Sequence, residues 1–343
     1  MSNIERAMAR LVKIDDAQKH PNADSLDVCT VGGWKCITKL GEFKKGDLVV
    51  YFELDSWIPT EIAPFLSKGK EPREYNGIKG ERLRTAKLRG IVSQGLILPF
   101  NTIMTNFDGE CSSTNWNEGD DVSKILNIQK YEPPISPHLA GLIKGSFPSR
   151  IPKTDEERIQ NLTKELQEWK EKEYIFERTE KCDGSSMTVY LIDDEFNVCS
   201  RNLNLKFDVN NSFWNVAIKD RLEEKLRSFG KNIAIQGELV GAGVNGNLYK
   251  LLDHRFYLFN VYDIDKQEYY NSSDRLKFAS ELGVNHVPVL SPAYITNIED
   301  MLIDADGKSE INPLVGREGI VYKCIQNPEI SFKCISNSYL LKN

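Results

Sequence analysis

The chain has 343 residues, of which 40% are hydrophobic and 27% are charged, and its formal net charge is −6. This length is sufficient for two domains, each with its own core. A chain with net negative charge is not a polycation, so any nucleic-acid binding must come from local basic patches. We find no low-complexity tract and no internal repeat, which excludes repeat architectures.

The cysteines and histidines exclude a zinc site of the usual kind. The seven cysteines and four histidines are scattered, with no spacing suited to zinc or to a catalytic set. The odd cysteine count and the lack of a signal peptide favour a reducing, intracellular setting. No apolar run approaches transmembrane length. We therefore expect a soluble, cytoplasmic, monomeric protein that does not bind membranes.

Residues 1–134 are typical of short strands separated by turns. Apolar residues alternate over Leu26–Val31, Gly32 and Gly33 make a turn, and further strands are predicted over Leu48–Phe52 and Ser93–Leu98. Several short strands of this kind favour a small OB-like barrel. The segment His20–Leu26 resembles a turn of OB-type RNA-binding modules.

A basic run lies between these strands, formed by Lys79, Arg82, Arg84, Lys87 and Arg89. Such charges give sequence-independent affinity for phosphates. A charge run is also the usual composition of a solvated loop. Both interpretations stay open at this point.

The middle of the chain is predicted to be irregular and then helical. Residues 101–150 have the composition of a linker or an arm. Thr154 and Glu157 have the spacing of a capping box, which predicts a helix from there to about Lys172. Further helices are predicted over Ser212–Phe229 and Asp274–Leu282, because Gly230 and Gly283 follow them.

One stretch, Glu180–Ser185, stands where a predicted strand gives way to a tight turn. Lys181 at such a place can act as a nucleophile if neighbouring cations or partial burial lower its pKa. Asp183 could hold a metal ion or orient a ribose. The alternative is a charged hairpin turn without a function.

Charged residues also stand in other apolar strands of the second half. They are Glu238 in Ile233–Gly241, Glu318 and Lys323 in Arg317–Lys323, and Lys333 in Ile330–Ile335. An isolated charge in an apolar strand costs about 2 kcal/mol or more unless it is paired or binds a ligand. These residues therefore predict a common site.

Together these stretches resemble the motifs of the covalent nucleotidyltransferase superfamily of ligases and capping enzymes. The matching segments are, in order, Lys181-Cys182-Asp183-Gly184, Ser200-Arg201-Asn202, Gly237-Glu238-Leu239, Tyr262-Asp263, Glu318-Gly319-Ile320-Val321 and Phe332-Lys333. Their order and spacing fit the superfamily over residues 174–343. The segment Glu238–Asn247, and an OB-like domain that precedes the transferase domain, are similar to the RNA ligase 5 family. We expect no OB domain after Lys333.

The resemblance implies an α+β fold: an ATP-grasp-like adenylyltransferase domain of antiparallel sheets with helices, over residues 135–343, preceded by an OB-like β-barrel with a linker arm over residues 1–134. It implies an ATP-dependent RNA ligase with Mg²⁺ or Mn²⁺, acting on RNA or on nicked duplexes that contain RNA. Lys181 would attack ATP, AMP would pass to an RNA 5′-phosphate, and a 3′-hydroxyl would displace AMP.

The site residues follow from the same resemblance. The catalytic set would be Lys181, Asp183, Arg201, Glu238, Glu318 and Lys333. The ATP-binding set would be Glu180, Lys181, Gly184, Arg201, Glu238, Phe259, Tyr262, Glu318, Lys323 and Lys333. The metal ligands would be Asp183, Glu238 and Glu318, with Glu238 alternatively bonding the ribose. Tyr262 is preferred over Phe259 for stacking on adenine, and Phe256 is expected in the core.

One position departs from the family pattern. Many relatives carry two lysines that flank one residue in the last motif, but Ser331 stands in place of the first. The nucleotide contact of that lysine could be supplied by Lys323. Three alternatives remain: a DNA ligase, an RNA-capping guanylyltransferase, and a non-catalytic OB-type RNA-binding protein.

Overall fold

The computed structural model describes residues 6–105, 116–132 and 141–342. The chain divides into two compact units, residues 1–134 and residues 135–342. Every pairing between named strands in these ranges is antiparallel, and helices cover the sheets of the second unit. No helix in the described part of the chain has the length and apolar character that a membrane crossing requires. The fold is therefore of the expected α+β class.

The first unit is built from short strands, as the sequence predicts. They are β1 (Ala9–Lys13), β2 (Asp16–Lys19), β3 (Leu26–Val31), β4 (Trp34–Lys39), β5 (Leu48–Phe52), β6 (Ser56–Pro59), β7 (Arg73–Tyr75), β8 (Ile78–Arg82), β9 (Ala86–Leu88), β10 (Ile91–Ser93), β11 (Leu96–Pro99) and β12 (Gln129–Lys130). They form sheets in the orders β1-β5-β11, β2-β3-β4, β9-β10 and β12-β6-β8-β7. A 3₁₀ turn at Pro64–Ser67 and helix α1 (Thr102–Thr105) complete the described elements.

Alternating side chains explain the barrel-like core of this unit. Alternate residues of β3 are buried and so are alternate residues of β4, and the two strands meet at the Gly32–Gly33 turn. Their inward side chains, among them Trp34 and Cys36, pack against Tyr51 and Ile97 from the sheet β1-β5-β11. Two three-stranded sheets thus share one core.

Two sequence predictions for this unit are wrong. Residues 93–98 are not one strand, because the chain turns at Gly95, whose φ is 107° and where a Cβ atom would lie 2.3 Å from the Tyr51 ring. Residues 116–132 are not a linker, because Val122 and Leu126 are buried in the core and β12 pairs with β6. Residues 106–115 and 133–140 of the predicted arm lie outside the described residues.

The second unit contains two sheets and a set of helices. Its strands are β13 (Ile143–Ser146), β14 (Ile175–Lys181), β15 (Ser185–Ile192), β16 (Glu195–Cys199), β17 (Leu203–Leu205), β18 (Ile233–Val240), β19 (Arg255–Asp263), β20 (Glu268–Tyr269), β21 (Val289–Tyr294), β22 (Gly319–Cys324) and β23 (Ser331–Ile335). Its helices are α2 (Thr163–Glu171), α3 (Ser212–Lys219), α4 (Leu222–Phe229), α5 (Ser272–Leu282), α6 (Ile298–Ala305) and α7 (Asn337–Leu340), with a 3₁₀ turn at Ile159–Asn161. The sheet orders are β13-β17-β16-β15-β18-β19-β20 and β21-β14-β22-β23.

Each sheet buries one apolar face against helices and keeps a polar face. In the seven-stranded sheet, Val189 and Ile235 pack against Phe213 and Leu226 of α3 and α4. In the four-stranded sheet, Phe332 stacks on Trp169 of α2 at 5.6 Å between ring centroids. The alternate residues of these strands, which include Lys181, Glu238 and Lys333, therefore point away from both helical layers.

Two of the predicted helices differ from the structure. The capping box is wrong: Thr154 bonds the Ser186 hydroxyl at 3.2 Å, and residues 155–158 run extended beside β23, where the Lys333 amide donates to the Glu157 carbonyl at 2.8 Å. Tertiary pairing thus overrides the local helix signal, and α2 begins only at Thr163. The helix predicted over 212–229 is broken at Arg221, whose φ is 51°.

Candidate active site

Lys181 lies at the end of β14, and its ammonium group is paired with a carboxylate from the next strand. Its Nζ is 2.7 Å from Oε1 of Glu318, and the two side chains are 26% and 13% exposed. Lys181 is directly opposite Gly319 in the β14–β22 pairing, which brings the two motifs together. Burial alone would lower the pKa of Lys181, but the charges of Glu318 and Glu238 raise it above its ordinary value.

Glu238 on β18 and Asp183 after β14 complete a group of carboxylates around Lys181. Burial and the neighbouring charges of Glu318 and Asp183 raise the pKa of Glu238 to about 8. Burial and Glu318 raise the pKa of Asp183 to about 6. This crowding of like charges favours binding of a cation. Within the described ranges, however, no three acidic, His or Cys side chains converge as a ready metal cage.

Gly184 allows the turn after Lys181 to pack closely on β18. A Cβ atom at this position would lie 2.3 Å from the carbonyl oxygen of Leu239 and 3.0 Å from Cγ of Glu238. No side chain fits there, so Gly184 sets the close approach of the lysine-bearing turn to the strand that carries Glu238.

Lys333 and Arg201 share an acidic partner that the sequence analysis missed. Nζ of Lys333 lies 3.2 Å from Oδ1 of Asp155, and Nη2 of Arg201 lies 3.3 Å from Oδ2 of the same residue. Asp155 thus joins two cations from different sheets. A phosphate group is also an anion, and it can accept two hydrogen bonds from the planar guanidinium of Arg201. It therefore suits the same pair of cations. Asp155 carries no periodic signal, so the sequence pattern did not indicate it.

The comparisons with known proteins agree with this geometry. A family model described as RNA ligase matches residues 175–335, and an OB-fold domain model matches residues 8–100. An apo structure of a mutant RNA ligase from Naegleria gruberi is 42% identical, with 98% of this chain and 99% of that chain covered and a TM-score of 0.90. The same enzyme with pyrophosphate, and a mutant of it with ATP and Mn, are each 43% identical over 98% and 99% of the two chains, with TM-scores of 0.89. A comparison with curated protein sequences found no match.

The chain belongs to the RNA ligase family.

The predicted RNA ligase with an OB-fold domain in its amino-terminal part is thereby confirmed. The chain is an enzyme of the covalent nucleotidyltransferase superfamily. The N. gruberi enzyme was solved with ATP and Mn, in agreement with the ATP and divalent metal expected as cofactors.

Ser331, the position where this RNA ligase departs from its family pattern, lies next to Lys323. Ser331 and Lys323 are directly opposite in the β22–β23 pairing, and the Ser331 hydroxyl donates to Glu156. The Lys323 ammonium donates to the carbonyl oxygen of Phe259 at 2.8 Å and to Oδ1 of Asn260. Burial and the charge of Arg275 lower the pKa of Lys323 to about 7. Lys323 thus lies on the same sheet face as Ser331.

The two candidate adenine-stacking residues have different surroundings. Tyr262 is 5% exposed, and its ring packs edge-on against Tyr269 at 5.0 Å, beside Ile151. The Phe259 ring is half-buried beside Lys323, whose Nζ lies 5.8 Å from its centroid. This geometry favours Phe259 over Tyr262. Phe256 lies in the core, as expected.

Glu180 faces away from Lys181 and bonds a loop. Its carboxylate is 1% exposed and accepts from the Glu310 amide at 2.7 Å. Burial raises its pKa. The side chain therefore holds the loop after α6, and any contribution of Glu180 to nucleotide binding would come from its backbone.

The sequence also provides little indication of a buried ion pair in the second unit. Glu177 on β14 pairs with Arg275 of α5, and both side chains are at most 4% exposed. Ser272 donates to the same carboxylate at 3.0 Å, and Nε of Arg275 donates to His286 at 2.9 Å. Burial and Arg275 lower the pKa of His286 to about 4. A charge at Glu177 in an apolar strand was the only sequence signal.

The basic run of the first unit is divided by the structure. Lys79 pairs with Glu71 at 3.3 Å, and Arg82 pairs with Asp55 at 2.6 Å. Lys87 and Arg89 are exposed on β9 and on the turn that follows it. Lys87 and Arg89 are therefore better candidates for phosphate contacts than Lys79 and Arg82.

Proposed function

We propose that this RNA ligase seals 3′-hydroxyl and 5′-phosphate ends, including nicks in duplexes whose 3′-hydroxyl strand is RNA, through an adenylylated Lys181. The observation that carries the proposal is the position of Lys181. It ends a strand, pairs with Glu318, and lies near the carboxylates of Glu238 and Asp183, which are far apart in sequence. A shared ligand would explain why so many charged side chains stand in or beside apolar strands.

In the first step, Nζ of Lys181 attacks the α-phosphorus of ATP. The N–P bond forms, the bond to the bridging oxygen breaks, pyrophosphate leaves, and the amine loses a proton. The carboxylates that raise the pKa of Lys181 oppose this proton loss. Glu238 and Glu318 would hold a divalent cation together with waters and phosphate oxygens, as Mg²⁺ prefers. When bound, the cation supplies positive charge that favours neutral Lys181 and offsets charge on the α-phosphate.

Lys333 and Arg201 are the proposed phosphate contacts of the first and second steps. Both side chains pair with the carboxylate of Asp155, which occupies the position proposed here for a phosphate group. Phosphoryl transfer depends mainly on positioning and electrostatic stabilisation, and two converging cations supply both. In the second step an oxygen of the RNA 5′-phosphate attacks the phosphorus of lysyl-AMP; the new P–O bond forms, the N–P bond breaks, and the Lys181 amine takes up a proton. In the third step the 3′-hydroxyl oxygen attacks the RNA 5′-phosphorus and loses its proton, the phosphodiester bond forms, and the P–O bond to AMP breaks so that AMP leaves.

The adenosine is proposed to lie between the two polar sheet faces. Phe259 would stack on the adenine, Lys323 would serve in place of a lysine at Ser331, and Glu238 is an alternative partner of the ribose hydroxyls. Gly184 would keep the turn beside the nucleotide free of a side chain. Asp183 bonds the side chain of Asn245, and Glu180 bonds the amide of Glu310, so both carboxylates hold surrounding loops.

The first unit is proposed to bind RNA through Lys87 and Arg89. We also propose that the protein acts as a monomer in the cytoplasm. In support, the six cysteines in the described part of the chain are buried and form no disulfide, as is usual in a reducing compartment.

A nick-sealing assay tests the proposed substrate. Matched duplexes with an RNA or a DNA 3′-hydroxyl strand, and with an RNA or a DNA 5′-phosphate strand, would be incubated with ATP or GTP. We expect sealing with ATP, fastest with an RNA 3′-hydroxyl. Equal sealing of an all-DNA nick would support a DNA ligase instead, and labelling by GTP alone would support a guanylyltransferase.

A further inference from the structure

The carboxylate of Asp183 is bonded by side chains that lie outside the six motifs. Asn245 donates through Nδ2 to Oδ1 of Asp183, and the hydroxyl of Tyr339 donates to the same carboxylate. The backbone amide of Asp183 donates to the Tyr249 hydroxyl oxygen at 2.8 Å. We name Asn245, Tyr249 and Tyr339 the Asp183 cradle.

The two tyrosines of the cradle are themselves held by other residues. Tyr249 is 1% exposed, and its carbonyl oxygen accepts from Nδ2 of Asn312 at 2.9 Å. The amide of Tyr339 donates to the Ser336 hydroxyl at 3.0 Å. The cradle therefore ties the turn after β14 to the loop between β18 and β19 and to helix α7.

The same segment also reaches the partner of the nucleophile. The amide of Ser336, just before α7, donates to the carbonyl oxygen of Glu318 at 2.8 Å. Glu318 is the ion-pair partner of Lys181. The chain around α7 thus contacts the residues on both sides of Lys181, namely Asp183 in the turn and Glu318 on the neighbouring strand.

These contacts indicate a role for Asp183 other than metal binding. Its side chain is 7% exposed, so its oxygens need partners, and Asn245 and Tyr339 supply two donors. Rigid bonding of the Asp183 backbone and side chain fixes the turn that begins at Lys181. A nucleophile gains rate from such preorganisation because displacements of about 1 Å can cost about 100-fold.

We propose that the Asp183 cradle is a positioning device for the lysine nucleophile. Asn245, Tyr249 and Tyr339 act through Asp183 and do not touch the reacting atoms. This inference rests on the proposed function of Lys181, and it adds three residues that the motifs do not contain.

The test uses full-length Tyr339→Phe, Asn245→Ala and Tyr249→Phe. Tyr294→Phe is the matched control, because Tyr294 is 62% exposed and pairs with Ile175, at the end of β14 opposite Lys181. Single-turnover adenylylation would be followed at saturating ATP and across an ATP titration, with thermal melting of each variant. Tyr339→Phe and Asn245→Ala each remove a hydrogen bond to the Asp183 carboxylate and should lower the rate by about tenfold or more. Tyr249→Phe removes the acceptor of the neutral Asp183 amide and should lower the rate by about threefold to tenfold. The half-saturating ATP concentration should change less than about twofold.

Pairing the changes separates positioning from general loosening. Tyr339→Phe combined with Asn245→Ala should cost less than the product of the two single effects, because both act through one carboxylate. The wild-type rate in both Tyr→Phe variants would overturn the proposal, and so would a defect confined to ATP affinity or a rate loss restored by excess Mn²⁺. If Asn245→Ala does not fold, the two Tyr→Phe variants decide. A wild-type protein that takes no label from ATP would instead refute the proposed function itself.

Discussion

Replacing Glu318 with glutamine separates two effects of its carboxylate on Lys181. The two charges lie 2.7 Å apart, and such a pair interacts by about 6 kcal/mol at an effective dielectric of 20. Partial exposure and the remaining carboxylates reduce this to about 1.5–3 kcal/mol, the range for hydrogen bonds to charged groups. The Glu318→Gln change should therefore lower the pKa of Lys181, because Glu318 is the largest of the charges that raise it.

The assay measures the reactivity of Lys181 without ATP or metal. The protein would be treated with an amine-acylating reagent over a pH series, and modification of Lys181 would be quantified by peptide mass spectrometry. Because only the neutral amine reacts, the Glu318→Gln profile should move to lower pH. Adenylylation with ATP and Mn²⁺ should nevertheless fall by about 100-fold or more, since a charged ligand at the reacting centre is lost. Glu168→Gln, an exposed change on α2, is the control.

Either of two results would refute this reasoning. Identical pH profiles in the wild type and Glu318→Gln would show that the ion pair does not set the protonation of Lys181. Adenylylation of Glu318→Gln at the wild-type rate would remove Glu318 from the site.

Three further predictions concern other parts of the molecule. Glu238→Ala should abolish sealing, because the site loses a proposed cation ligand. Thermal stability should not fall, because burial and neighbouring charges disfavour this carboxylate and raise its pKa to about 8. Full sealing activity with an unchanged melting temperature would remove Glu238 from the site. Arg275→Met should lower the free energy of unfolding by about 3–5 kcal/mol, because Glu177 loses its buried partner. Urea unfolding measures this change, and a loss below about 1 kcal/mol would contradict the prediction. Charge reversal at Lys87 and Arg89 should weaken RNA binding and reduce its salt dependence without changing adenylylation; unchanged affinity across a salt titration would make this run a solvated loop.

The sequence was sufficient to predict which charges come together. Glu238 and Glu318 stand in or beside apolar strands, and Lys181 stands where a strand gives way to a turn; charges in apolar strands are costly unless they share a ligand or a partner. The structure places them in one group because β14 and β22 are neighbours and β18 lies in the facing sheet. The pattern of single charges in buried strands thus carried information about tertiary structure.

Other features depend on long-range contacts that local patterns do not contain. The segment after Thr154 pairs with β23 and so cannot form the predicted helix. A register shift between β18 and β19 at Gln236 and Gly237 changes which face the later residues of β19 occupy, so alternation could not rank Phe259 against Tyr262. Asp155 shows no periodicity and became visible only through its two cationic partners.

The most direct test of the account is covalent labelling of Lys181. The wild type, Lys181→Ala and Lys181→Arg would be incubated with Mn²⁺ and ATP labelled on its α-phosphate, denatured, separated by electrophoresis, and mapped by mass spectrometry. We predict label on the Lys181 peptide of the wild type alone, because a guanidinium group stays protonated and cannot attack. Label retained by Lys181→Ala would contradict the assignment of the nucleophile.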